Sequence, residues 1–139
     1  MKWRKTEWGY ILRLEGEDEV ISSLSHLTHQ EGIKGGTFWG IGAVEESVIG
    51  YFNTETKQYQ KKNLQESKEL VSLQGTISWL EGKPFIHAHA VLAGDDFKAY
   101  GGHLLSSKVS ATVELWVHTS GEELKRFYEP HLKMNLLEV

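Results

Sequence analysis

The stretch FIHAHAVLAGDDFKAYGGHLL, residues 85 to 105, constrains this chain more than any other. Ala93-Gly94-Asp95-Asp96 has the composition of a turn, with a Val-Leu run before it and Phe97, Ala99 and Tyr100 after it, so the segment reads as a β-hairpin. Three of the seven histidines fall inside it. His87 and His89 are two residues apart and share a strand face. A three-residue loop at Gly94 to Asp96 sets His87 opposite His103 and His89 opposite Gly101, leaving all three imidazoles on that face. A two-residue loop would turn His103 to the other side, because a one-residue slip inverts a strand.

Directly paired residues have Cβ atoms about 4.5–5.5 Å apart, a gap that imidazole arms can close around one ion. Three protein ligands with one open position is the pattern of reactive zinc sites. The expected cofactor at His87, His89 and His103 is therefore zinc or another divalent transition metal, with Gly101 and Gly102 leaving space beside the cluster. Two strand histidines also read as hydrogen-bonded residues on a half-exposed face. The third histidine and the glycine pair favour the metal. No cysteine is present, which excludes disulfides and thiolate sites and leaves histidine and carboxylate as ligands.

The remaining pattern is mostly that of strands. Gly9 to Leu14 suits a first strand. Val20, Ile21, Leu24 and Leu27 form the stripe of one helix of about four turns, with acids at Glu17 to Glu19 at its start, His26 and His29 near its end, and Gly32 as its stop. His26 and His29, at i and i+3, are a weaker candidate metal pair. Gly35-Gly36 opens a long β-type run in which Gly40, Gly42 and Gly50 predict a bend between two strands. Gly40-Ile41-Gly42 lacks the third glycine of a dinucleotide fingerprint, so that function is excluded. Residues 53 to 66 read as a polar hairpin or loop. Residues 69 to 80 alternate with Val71, Leu73, Gly75, Ile77 and Trp79 as the buried set, and Ile86, Ala88, Ala90 and Leu92 face the core behind the histidines. Ser110 to His118 is another strand, Glu122 to Phe127 starts as a helical turn, and Lys133 to Val139 ends the chain as a strand.

This pattern predicts one domain, residues 1–139, of the α+β class, with seven or eight mostly antiparallel strands packed on one main helix. A net charge of −4 argues against binding DNA through the overall field. No apolar run reaches the length of a membrane span and the N-terminus has no signal-peptide pattern, so the expected location is the cytoplasm and no membrane partner is expected.

Gly36-Thr37-Phe38 leading into Gly40-Ile41-Gly42-Ala43-Val44, then Glu69 to Ser78, Pro84, His87-Ala88-His89, Gly101-Gly102-His103-Leu104 and Thr112-Val113-Glu114 together resemble the PPC (plants and prokaryotes conserved) domain. The resemblance covers nearly the whole chain in the family's order. It implies a large antiparallel sheet packed on one helix, a homotrimer, and a prokaryotic stand-alone branch that carries metal on the HxH and GGH histidines. It also brings a DNA-binding label that belongs to plant members with AT-hooks. No Arg-Gly-Arg-Pro core of that kind occurs in this sequence.

Three functions are carried forward. The first is a trimeric metal-binding domain that takes a small-molecule ligand or a protein partner. The second is an enzyme in which a zinc-bound water is activated by a nearby base, with Glu114 as the candidate catalytic residue. The third is a DNA-associated regulator.

Overall fold

The computed structural model describes residues 1–139. Nine strands and one helix follow in the order β1 (Lys2–Thr6), β2 (Gly9–Glu15), α1 (Val20–Gln30), β3 (Gly36–Asn53), β4 (Gln58–Leu64), β5 (Lys68–Leu80), β6 (Lys83–Ala93), β7 (Ala99–Thr119), β8 (Arg126–Glu129) and β9 (Met134–Leu137). Seven strands make one antiparallel sheet in the order β1-β2-β7-β6-β5-β3-β4, and β8 and β9 form a separate hairpin. β3 pairs with both β5 and β7, so the pairings β3–β5–β6–β7–β3 close a ring. Closure removes the free edges that an open sheet would expose there.

The helix is shorter than the acidic run suggests. Glu17 has φ 78, outside the helical region, and Asp18 accepts from Glu15 N at 2.9 Å and pairs with the N-terminal amine at 2.6 Å. Glu19 is the cap, taking the N–H groups of Ile21 and Ser22. Its Oε1 also accepts from Ser107 N at 3.0 Å, which pins the helix start to β7. Val20, Leu24 and Leu27 are fully buried, and α1 packs against β6 and β7. Burial of each such leucine stabilises by roughly 1.5–3 kcal/mol.

The glycine-rich run does not bend into two strands. β3 is continuous over Gly36–Asn53, with register shifts at Gly40/Gly42 and between Glu45 and Val48. These bulges let it leave β5 after Val44 and take up β4 from Ser47. In β5 another bulge, between Leu70 and Ser72, reverses the expected faces: Leu70 is 1% exposed and Val71 is 53% exposed. Beyond it Leu73 and Ile77 are buried, as the alternation predicts. The predicted hairpin strand and the 110–118 strand are parts of one 21-residue strand, β7. Residues 122 to 127 form no helical turn; they lead into β8, whose start is held by Trp79 N donating to Leu124 O at 2.7 Å. No helix is long and apolar enough to cross a membrane.

Candidate metal centre

The β6–β7 hairpin is present with a longer loop than expected. The ladder runs from Ala93↔Ala99 to His89↔His103, leaving Gly94 to Lys98 as the loop. Gly94 N donates to Lys98 O at 3.2 Å, Phe97 N donates to Gly94 O at 3.0 Å, and Phe97 sits at φ 59. Relative to the three-residue loop the register slips by two, so His103 faces His89 rather than His87. A slip of two keeps every side chain on its face. All three imidazoles therefore stand on the side away from Ala88, Ala90 and Leu92, which are buried.

The two glycines before His103 have different tasks. Gly101 lies on the histidine face, and a Cβ there would meet nothing closer than 3.5 Å, which leaves open space beside the cluster. A Cβ on Gly102 would lie 2.7 Å from Gly50 O, so Gly102 permits the close approach of β7 to β3.

Ligand-capable atoms of His87, His89 and His103 all lie within 4.8 Å of one another. Ring centroids are 4.2 Å apart for His89 and His103 and 5.2 Å for each pair with His87. His87 Nε2 and His103 Nδ1 are 3.3 Å apart. Two nitrogens each about 2.0–2.1 Å from a tetrahedral zinc would be separated by about 3.3–3.4 Å. The donor set therefore fits a divalent transition metal. Burial, then the positive charge of Arg126 and the neighbouring imidazoles, pushes the His87 pKa down to about 4. Burial and His89 lower that of His103. The His87 and His103 rings are thus neutral near pH 7, the state in which imidazole has a lone pair for a metal.

Residues 3–120 match the Plants and Prokaryotes Conserved (PCC) domain. The chain belongs to this family. A candidate DNA-binding protein of Ralstonia eutropha JMP134 is 34% identical, with TM-score 0.93 over 99% of this chain and 96% of that one. A metal-containing protein of Archaeoglobus fulgidus is 35% identical, with TM-score 0.86 over 100% of both chains. The plant- and prokaryote-conserved protein of Pyrococcus horikoshii is 29% identical, with TM-score 0.85 over 99% of this chain and 96% of that one. No curated protein matches.

Not every expected residue reaches the centre of this PCC domain. Glu114 lies on β7 eleven residues from His103, opposite Arg13 of β2 and Ile41 of β3, roughly 36 Å along the strand; across the sheet, through His89↔Gln74↔Trp39↔Trp116, its part of β7 is still three strand spacings, about 14 Å, from the histidines. Within one chain it is not brought to the cluster as a base, because the strand assumed to fold beside the hairpin is its own continuation. His26 and His29 remain exposed on the helix, with His26 edge-on to Trp3 at 6.2 Å.

Two neighbours of the cluster have no signal in the local sequence pattern. Tyr59, from β4, meets His103 edge-to-face at 5.4 Å. Arg126, from β8, lies 4.7 Å over the ring of Phe85, two residues before His87 on the same face. It donates through Nε to Ser78 Oγ at 2.8 Å, through Nη2 to Thr76 Oγ1 at 3.2 Å, and through Nη1 to Asn135 O at 2.8 Å. Thr76 is the cross-strand partner of His87, so the guanidinium sits one side chain from the imidazole.

Proposed function

We propose that this PCC domain is a metal-binding homotrimer in which His87, His89 and His103 hold one divalent transition metal, zinc in the first instance, and that a small ligand or protein partner binds at the centre. The observation that carries this reading is the convergence of the three sets of ring nitrogens within 4.8 Å. With three protein ligands such a site keeps one position open, where the ion supplies Lewis acidity. The reading treats residues 1–139 as one domain that works in the cytoplasm.

Assembly is supported by the sheet face away from the core. Trp39 and Trp116 are cross-strand partners there, 49% and 36% exposed, and Ile41 beside them is 55% exposed. An apolar face of this kind suits burial between subunits.

Metal content per chain in untagged protein, wild type against a His87→Ala/His89→Ala double variant, tests the centre. Near-stoichiometric metal in wild type and its loss in the variant is the expected result. Wild-type protein that holds none after zinc addition and removal of excess refutes it.

A DNA-associated role is the second reading, favoured by the description of the Ralstonia relative. It requires duplex binding with a measurable salt slope, and absence of binding at low salt removes it. Water activation by the metal is a third reading, and it requires a base other than the distant Glu114 of the same chain.

A further inference from the structure

Among the other partly buried cationic side chains, Lys68 pairs with Glu66 and Lys108 with Glu17 and Glu46, while Lys57, in the β3–β4 turn, joins no ion pair. Arg126 is only partly exposed and joins no ion pair. Removing a guanidinium from water is costly without compensating anions or hydrogen bonds. Its bonds to Ser78, Thr76 and Asn135 occupy one N–H on each nitrogen. Of the five N–H groups in a guanidinium, two stay uncommitted. The three protein bonds and the Phe85 ring hold the group in place. It is a fixed positive fork with free donors, standing beside His87.

Space for a ligand adjoins it. Arg126 lines an open cleft of about 490 Å³ together with Lys34, Trp79, Glu81, Glu123 and Lys125. That volume falls within the range of small-molecule sites. The histidines line no part of this cleft, and Arg126 is the group common to both places. A planar guanidinium with two free N–H groups matches the paired oxygens of a carboxylate or phosphoryl group better than any neutral ligand.

We propose that Arg126 is an oxyanion anchor: the small molecule that binds this protein bears a carboxylate or phosphoryl group, and that group docks on the free N–H groups of Arg126 next to the histidine cluster. The proposal deepens the metal-centre reading, which it uses only for the second point of contact of the ligand.

The test is a calorimetric titration of the full chain, zinc-loaded and chelator-treated, with acetate and with inorganic phosphate at constant ionic strength. Wild type, Arg126→Gln and Arg126→Lys are compared, with zinc content and melting recorded for each. Saturable binding of one anion to wild type, weakened at least tenfold in Arg126→Gln and less in Arg126→Lys at unchanged zinc content, is expected. Acetate alone binding assigns a carboxylate ligand, and phosphate alone a phosphoryl ligand. Should Arg126→Gln lose the β8–β9 hairpin and melt early, Arg126→Lys, which keeps the charge but not the fork, still has to bind more weakly than wild type. No saturable binding of either anion to wild type, or equal affinity in wild type and both variants, overturns the proposal. If wild type holds no zinc, the metal-centre reading fails by itself, and the same comparison on metal-free protein decides the anchor.

Discussion

Replacing Gly75 by alanine probes the packing that places the histidines. Gly75 lies in β5 between Phe38 of β3 and Ala88 of β6. An added Cβ would collide with the carbonyl oxygen of His87 and lie 2.5 Å from Phe38 Cζ and 2.9 Å from its Cε1. Carbon atoms pack at about 3.5–4.0 Å, so the ring must withdraw by about 1 Å. Phe38 is fully buried and has nowhere to go, and the His87 carbonyl must move with its strand. Overpacking of this kind costs about 1–3 kcal/mol, and each ladder hydrogen bond lost adds about 1 kcal/mol. Alanine recovers about 0.5–1 kcal/mol by restricting the unfolded chain. The net expectation is a loss of about 2–3 kcal/mol. At about 2.1 cal/mol/K per residue the unfolding entropy is roughly 0.3 kcal/mol/K for this chain, so the melting temperature falls by about 8 °C. Urea unfolding and calorimetry at one fixed protein concentration provide the measurement, since the proposed self-association would make melting concentration-dependent. Zinc affinity should fall at least tenfold in parallel, because the displaced carbonyl belongs to His87. Gly121→Ala is the control: a Cβ there meets nothing within 4 Å, and its effect should stay within about 0.5 kcal/mol. If Gly75→Ala is as stable as that control, the close approach of β5 and β6 that underlies the site geometry is wrong.

Three further outcomes are expected. Leu70→Ala should cost about 2–5 kcal/mol in urea unfolding while Val71→Lys stays within about 0.5 kcal/mol, and the opposite order would refute the β5 bulge. In metal-free protein, stability should fall as pH drops from about 6.5 to about 4. The sign follows from the folded-state His87 pKa lying below its unfolded value, so the unfolded chain binds more protons in that window; His87→Gln should flatten the profile. A Trp39→Glu/Trp116→Glu double variant should sediment as a monomer, and a retained wild-type mass would show that this face is not the subunit interface.

Much of the site is legible in residues close together in sequence. The His87 and His89 spacing fixes their common face whatever the loop does, and the buried set Ile86, Ala88, Ala90 and Leu92 says which face that is not. His103 joins them because the actual loop differs from the expected one by an even number of residues, a property of hydrogen bonding around Gly94 and Phe97 that turn composition alone does not reveal. Lys2–Thr6 carries no strand signal of its own, since its polar residues alternate weakly; it forms a strand because β2 offers an edge.

What the sequence determined by itself was therefore whatever a period decides: a chain mostly of strands, one amphipathic helix, and histidines sharing a side. Period is a local property, set by the backbone geometry of each element. Tertiary structure decided which strand meets which, where bulges invert a face, and that Glu114 travels away from the histidines while Arg126 and Tyr59 arrive beside them. Those outcomes depend on contacts between residues 41 to 50 positions apart, such as Arg126 with Phe85, Ser78 and Thr76, whose formation is rewarded only when the whole sheet closes.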